Sequence, residues 1–247
     1  MKFDLMLVFI IPVKNEEQNI SKLIKKIFLI NNFKKVSVIF IDDKSTDLTV
    51  DIIKREINYN KNIHLLERNP RKFFNQRGSA LMDGIKFSEA NNLIFDYYVE
   101  LDGDLSHDPE EVSVGINKLL ENQADVSIGS KYLQKSKIIN RSKIRNYLSY
   151  ICKILFNLFF SFEISDFTNG FRIYSRQVAL QTLKNNFIEE GPLFLVESLL
   201  FWKKENFKIV EFPSSYYGRA EGDSKLNFFD FVNYLYNMII LILKSKK

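Results

Sequence analysis

The stretch Leu5-Met6-Leu7-Val8-Phe9-Ile10-Ile11-Pro12 is an unbroken apolar run closed by a proline, and Val13-Lys14-Asn15-Glu16-Glu17 turns polar at once. Such a run keeps no polar side for water. It predicts a strand buried on both faces, the kind found in a parallel sheet covered by helices. The run is too short for a spanning helix and carries no small-residue cleavage site, so it reads as a core strand and not as a leader segment.

Outward from this run the first half alternates. Ile20, Leu23, Ile24, Ile27 and Phe28 recur at helical spacing, with Asn15 as the expected cap. Val36–Ile41 is β-branched and strand-like, Ser45-Thr46-Asp47 offers caps, and Leu48, Ile52, Ile53 and Ile57 mark a second helix. Ile63–Leu66, Gly78–Ala90, Tyr97–Leu101, a helix opened by Pro109, and Ala124–Ile128 continue the pattern. Strand–helix alternation at this spacing predicts an α/β fold: a mostly parallel, Rossmann-like sheet with helices on both faces. Its ligands belong at the carboxyl ends of the strands. The second half is less regular: an irregular Ser165–Ser175 stretch, a helix around Glu190–Lys203, a strand at Lys208–Phe212, and a last helix. We expect one domain over residues 1–225, including an interfacial helix at about 146–164, and an amphipathic C-terminal helix with a basic tail over residues 226–247.

Composition narrows the classes. Of 247 residues, 46% are hydrophobic and 26% charged, which excludes wholesale disorder and low-complexity assemblies. Cys152 is the single cysteine, so the chain holds no internal disulfide framework, and a cytoplasmic setting is expected. With His64 and His107 as the two histidines, a Cys₄ or Cys₂His₂ zinc site is impossible. The net charge of +5 is mild, but Lys131, Lys135, Lys137, Arg141, Lys143 and Arg145 form a run without an acid, and the chain ends Lys244-Ser245-Lys246-Lys247. Tyr147–Ile164 and Phe228–Leu243 are greasy yet interrupted by Lys153, Glu163, Asp230, Asn233 and Asn237. Both fall short of spanning a bilayer; either core helices or helices lying in a membrane interface fit them.

Several motifs sit at strand ends. Glu100-Leu101-Asp102-Gly103-Asp104-Leu105-Ser106-His107-Asp108-Pro109 places two carboxylates two residues apart. Extended backbone would point them to opposite faces, and Gly103 permits a turn that brings both to one cation. Hard oxygen donors there suit Mg²⁺ or Mn²⁺ on a diphosphate; a solvated acidic turn that caps the next helix is the plain alternative. Asp42-Asp43-Lys44-Ser45 offers acceptors for a base N–H or ribose hydroxyls. Pro12–Asn19 should line the same crevice. Gly129-Ser130-Lys131-Tyr132 runs into the basic loop and Arg145–Ser149, which suits a phosphate held at a membrane surface or an ordinary solvated charge run. Asp166–Tyr174 and Tyr216–Lys225 are loops bearing Gly170, Gly218 and Gly222.

Taken in order, these pieces resemble the large inverting glycosyltransferase family 2 with the GT-A fold, and within it the polyprenyl-phosphate sugar transferases of the dolichol-phosphate mannose synthase type. The most specific strings are Asp102–Glu111 and Asp166–Tyr174. The chain departs from the family pattern at Lys44 for glycine, Lys131 for arginine and Lys153 for asparagine, and in the segment Arg71–Arg77, which stands where the family is lysine- and glycine-rich. The resemblance implies that Pro12, Lys14, Glu16, Asp42 and Asp43 line the nucleotide pocket. It implies that Asp102 and Asp104 hold Mg²⁺ or Mn²⁺ around Gly103, with Ser106 near the metal. It implies that Arg219 neutralises the diphosphate, that Lys131, Arg145 and Ser149 grip a lipid phosphate, and that Arg172 and Glu197 shape the sugar and acceptor region.

The implied reaction moves a hexose, mannose above all, from a nucleotide sugar (GDP-mannose or a UDP-hexose) to a polyprenyl phosphate with inversion. The implied partners are that lipid, the cytoplasmic face of a membrane and a small membrane anchor protein. The rival readings are transfer to another glycan or lipid acceptor, and a non-catalytic, membrane-associated protein of this fold. Nucleic acid is not expected, because the basic residues lie beside apolar helices and not among exposed stacking aromatics.

Overall fold

A computed structural model describes residues 2–69, 77–140, 150, 153–154, 164–187, 191 and 193–218. The expected interfacial helix falls almost wholly outside these residues, and the C-terminal helix entirely so.

The elements follow the expected alternation. They are β1 (Phe3–Val13), α1 (Glu17–Leu29), β2 (Phe33–Asp42), α2 (Thr49–Tyr59), β3 (Ile63–Glu67), α3 (Arg77–Ala90) and β4 (Tyr97–Glu100). A 3₁₀ turn (Pro109–Glu111) leads into α4 (Val112–Asn122) and β5 (Val126–Ser130). After β6 (Ile138–Ile139) come β7 (Arg172–Ser175), α5 (Arg176–Lys184), α6 (Phe194–Lys204), β8 (Ile209–Pro213) and β9 (Tyr216–Tyr217). Seven strands form one sheet in the order β3-β2-β1-β4-β7-β5-β8, and β6 pairs with β9 in a separate ribbon. Every pairing in the large sheet is parallel except those of β7, which lies antiparallel between β4 and β5. This is the mostly parallel α/β architecture the first run implied.

Helices cover both faces. Val8 and Ile10 point to one side, where they meet Leu81 and Ile85 of α3, Val178 of α5 and Trp202 of α6. Leu7, Phe9 and Ile11 point to the other, against Ile20, Leu23, Ile24 and Ile27 of α1 and Ile116 and Leu119 of α4. The period-2 alternation of β1 thus feeds two cores at once, and all five side chains are fully buried.

The structure departs from the sequence reading at Asn15 and in the Ser165–Ser175 stretch, and it adds α5, β6 and β9, which the hydrophobic pattern does not reveal. Asn15 does not cap α1. It adopts a left-handed φ of 53° and its Oδ1 accepts the Thr46 backbone N–H at 2.8 Å. The open N–H groups at the start of α1 are met from the β2–α2 turn, where Thr49 Oγ1 accepts from Glu16 N and Asp47 Oδ2 from Glu17 N. Glu17 Oε2 returns the favour by accepting from Leu48 N at 2.9 Å. The two helix starts therefore cap each other, which fixes the β1 and β2 ends side by side. The Ser165–Ser175 stretch, expected to be irregular, ends in the regular strand β7. Lys44 has a left-handed φ of 63°, the conformation that glycine adopts most cheaply.

Candidate active site

The carboxyl ends of β1, β2 and β4 share one edge of the sheet: Val13 pairs with Asp42, and Ile10 with Glu100. The chain leaves β4 through Leu101 into Asp102-Gly103-Asp104. Gly103 lies against the end of β1, where an added Cβ would stand 2.9 Å from Val13 Cγ1, 3.4 Å from the Pro12 carbonyl oxygen and 3.7 Å from Glu16 Cγ. No other residue lets the acidic turn approach β1 this closely. Pro12, Glu16 and the acidic turn are thereby joined, as expected for one crevice.

The two acids have different surroundings. Asp104 is buried, and its Oδ1 accepts the Ser106 backbone N–H at 3.0 Å. Leu105 between them has a φ of 60°, a conformation a branched side chain rarely adopts, so the turn holds local strain. The Ser106 carbonyl accepts from Tyr217 N at 2.8 Å, which ties the loop to β9. His107 is buried against the rings of Phe171 and Tyr216, and burial lowers its pKa, so it sits there as a neutral packing group. Asp102 remains partly open and faces Arg77, whose Nη1 lies 2.9 Å from Asp102 Oδ1.

At the β2 edge, Asp42 is buried and accepts from Ser45 N at 3.1 Å. Asp43 pairs with the Arg68 guanidinium, which also donates to Ser79 Oγ at 3.0 Å and to Asp83 Oδ2 at 3.1 Å. Arg68 and Arg77 are site-lining residues that motif reading missed. Both lie in the segment before or at the start of α3, and no spacing rule links them to acids 25 positions away in either direction.

Two residues expected at the ligands have buried protein partners. Lys131 is buried, and its Nζ donates to Asp166 Oδ2 at 2.6 Å, both side chains being almost fully covered. Asp166 also accepts from the Thr168 hydroxyl at 3.1 Å. Burial works to raise the Asp166 pKa, but Lys131 and the hydrogen bonds prevail and hold it below the usual value. Arg172 is fully buried under the sheet edge. Its guanidinium donates to the Asn169 and Phe167 carbonyls and to Ser198 Oγ, and lies over the Trp202 ring. Burial pulls its pKa down to about 10, which still leaves it charged near neutrality. These two cations brace the floor of the site. Lys14 is half-buried at the crevice, and Glu197 is buried on α6. Arg145, Ser149 and Arg219 lie outside the described residues.

The acidic turn fits a hard divalent cation. Two carboxylates and the Ser106 side chain are oxygen donors, and Gly103 seats the turn without a side chain in the way. Among the described residues no cluster of three or more His, Cys, Asp or Glu groups could hold a metal by itself. An incomplete protein shell is what Mg²⁺ and Mn²⁺ take when substrate oxygens and water supply the rest.

The sequence profile of the family "Glycosyl transferase family 2" matches residues 8–182. An undecaprenyl-phosphate mannosyltransferase of Micrococcus luteus is 27% identical over 221 residues, covering 88% of this chain and 86% of that protein. A dolichol-phosphate mannosyltransferase of Pyrococcus furiosus is 28% identical over 235 residues, covering 93% of this chain and 62% of that longer protein. Among solved structures, glucosyl-3-phosphoglycerate synthase from Mycobacterium tuberculosis, crystallised with Mn²⁺, UDP-glucose and phosphoglyceric acid, superposes with a TM-score of 0.69 at 17% identity. That match covers 98% of this chain and 79% of the other, and it establishes the shared fold.

Proposed function

The chain belongs to glycosyl transferase family 2, and from that premise we propose that it moves a hexose from a nucleotide sugar to a polyprenyl phosphate, with inversion at the anomeric carbon. The donor we favour is GDP-mannose, with a UDP-hexose as the other possibility; the relatives named above as mannosyltransferases support mannose. The observation that carries the reading is the Asp102-Gly103-Asp104 turn seated against the Pro12–Val13 end of β1.

In this proposal Pro12, Lys14, Glu16, Asp42 and Asp43 receive the nucleoside, and Asp102 and Asp104, aided by Ser106, hold Mg²⁺ or Mn²⁺. When bound, the metal supplies positive charge against the leaving diphosphate. The chain's own residues fix the geometry: Gly103 sets the approach of the turn, and Ser106 and Tyr217 hold its exit. Arg219 would add charge at the diphosphate, and Arg145 and Ser149 would grip the acceptor phosphate. Lys131 and Arg172 would support these contacts from beneath, which revises the direct role the resemblance gave them.

The acceptor nucleophile is an oxygen of a phosphate monoester with a second pKa of about 6. It is already anionic near neutral pH, so the site has no need of a strong general base, in keeping with His107 being buried as a neutral group. Attack by one anion on another is slow unless both are positioned, and that is the work of the cationic residues.

Among the described residues no helix is long and apolar enough to cross a membrane. Exposed Ile138 and Ile139, adjoining exposed Lys135 and Lys137 in the chain, and exposed Tyr150 and Ile154 support a peripheral position on a membrane surface. The cytoplasmic face, a small anchor protein, and the division into a catalytic unit over residues 1–225 with a C-terminal helix over residues 226–247 belong to the same proposal.

The test is a donor and acceptor screen. GDP-mannose, UDP-glucose and UDP-GlcNAc are each incubated with short polyprenyl phosphates or 3-phosphoglycerate, with Mg²⁺, Mn²⁺ or EDTA, and products are identified by mass. A metal-dependent hexosyl polyprenyl phosphate is expected. Glycosylation of 3-phosphoglycerate alone, or transfer undiminished by EDTA, would overturn the reading.

A further inference from the structure

Arg77 opens α3 and reaches across the crevice to the acidic turn. Its Nη1 stands 2.9 Å from Asp102 Oδ1, and its Nη2 donates to the Gly170 carbonyl at 2.8 Å and lies 3.6 Å from Glu100 Oε2. The Asp102 contact is an ion pair without an aligned hydrogen bond: Arg77 Nη1 and Nε are both buried with no hydrogen-bond partner. Gly170 makes the arrangement possible. An added Cβ there would stand 2.7 Å from Arg77 Nη2 and 3.0 Å from Asp102 Oδ2. The Arg77 side chain is 11% exposed and that of Asp102 37%, so the carboxylate is open to an incoming ion while the guanidinium stays behind it.

This geometry sets two cations against one carboxylate. A divalent ion arriving at Asp102 meets a fixed positive charge beside the ligand oxygen. Arg77 cannot swing clear easily, because Gly170 and Glu100 anchor its far side. We propose that Arg77 is a positioning residue that suppresses metal binding at Asp102 until the donor diphosphate arrives, so that metal and nucleotide load together. The inference rests on the donor-site reading given above and adds an order of binding to it. The physical basis is linkage. A diphosphate brings negative charge that offsets the crowding of Arg77 and the ion, so nucleotide raises metal affinity and metal raises nucleotide affinity by the same factor.

The experiment is Mn²⁺ titration of the full chain, followed by electron paramagnetic resonance, with and without GDP or UDP and with no acceptor present. Arg77→Gln is expected to bind Mn²⁺ roughly tenfold more tightly than wild type in the absence of nucleotide, equivalent to about 1.4 kcal/mol of relieved competition. The factor by which nucleotide strengthens Mn²⁺ binding should shrink by the same amount. Arg77→Lys keeps the charge on a shorter reach and should fall between the two. It also serves if the glutamine variant folds poorly, which circular dichroism will show. Asp102→Asn should erase the gain in the Arg77→Gln background. Equal or weaker Mn²⁺ binding by both Arg77 variants overturns this inference alone, as does a gain that survives Asp102→Asn. No Mn²⁺ binding by any protein even with nucleotide overturns the donor-site reading and the inference with it.

Discussion

Lys131 and Asp166 offer the sharpest quantitative test, because the resemblance assigns Lys131 to a substrate phosphate and the structure assigns it to an internal partner. The Lys131 Nζ lies 2.6 Å from Asp166 Oδ2, and the side chains are 3% and 1% exposed. At that distance and an effective dielectric of about 20, the gross attraction is about 6 kcal/mol, most of it offset by the cost of drying both ions. Removing one partner strands the other as a buried charge, which typically costs about 3–5 kcal/mol. Lys131→Met leaves Asp166 with donors from Thr168 and Asn169. Asp166→Leu leaves Lys131 without its carboxylate and those donors without an acceptor, so it should be the worse of the two. The double variant should cost less than the sum by about 2 kcal/mol or more. Urea unfolding of the four proteins measures this.

The same pair fixes a pH dependence. The Asp166 pKa is lowered in the folded state, Lys131 and hydrogen bonds overcoming the opposing effect of burial. Its stabilisation is therefore complete above the unfolded-state value of about 3.9 and is lost as pH falls through the folded value. Asp166→Asn should flatten the acid limb of the stability profile. Full stability of Lys131→Met, together with a raised KM for polyprenyl phosphate, would refute the internal role and return Lys131 to the acceptor.

Three further outcomes follow from the site. Asp104→Asn should lower transfer by roughly 100-fold or more by weakening the charge at the leaving diphosphate, and near-normal turnover in the glycolipid assay would remove Asp104 from the metal shell. Lys44→Gly should stabilise the protein by roughly 0.5–1 kcal/mol in urea unfolding. The left-handed φ of 63° costs a side chain more than glycine gains in the unfolded chain, and a loss of stability would mean the lysine earns its place by a contact. Gly103→Ala would drive a methyl to 2.9 Å from Val13 Cγ1. Overpacking of this kind costs about 1–3 kcal/mol, and it should raise the donor KM while leaving the acceptor KM unchanged.

The strands and helices of the first half were legible because their hydrophobic pattern is set by both faces of one sheet. A run such as Leu5–Ile11, short and closed by a proline, suits a strand buried on both faces better than a helix. The acids at the strand ends were legible for the same reason: once the strands are placed, topology puts their carboxyl ends on one edge. What escaped is what depends on partners far along the chain. The β7 residues Arg172-Ile173-Tyr174-Ser175 hold an arginine and a tyrosine where a core strand usually has aliphatics. They form a strand because β4 and β5 leave a slot that antiparallel backbone fills. Asn15 looked like a cap because asparagine before a helix usually is one, but here the neighbouring turn supplies the acceptors. Lys131 looked like a surface cation because its partner is 35 residues away. Lys44 was visible as a departure from glycine, and its left-handed φ gives the physical reason glycine is usual there.

The antiparallel β7 does more than complete the sheet, because it determines which half of the chain controls the acids. Glu100 pairs in register with Arg172, so the residue that leads into the acidic turn is clamped to the second-half motif. Gly170, two residues before that pair, closes on both Arg77 and Asp102. A parallel strand in the same slot would run the other way and carry the Asp166–Gly170 loop to the opposite edge of the sheet, away from the crevice. The reversed direction thus brings the loop that anchors Lys131 and Arg77 to the edge where β1 and β4 present their carboxyl ends. It follows that the parallel strands β1, β2 and β4 carry the proposed nucleotide side of the site, while the single reversed strand of the large sheet ties that side to the floor beneath the proposed acceptor. Substitutions along Asp166–Arg172 should therefore disturb donor and acceptor kinetics together, whereas those confined to the β1 and β2 edge should disturb the donor alone.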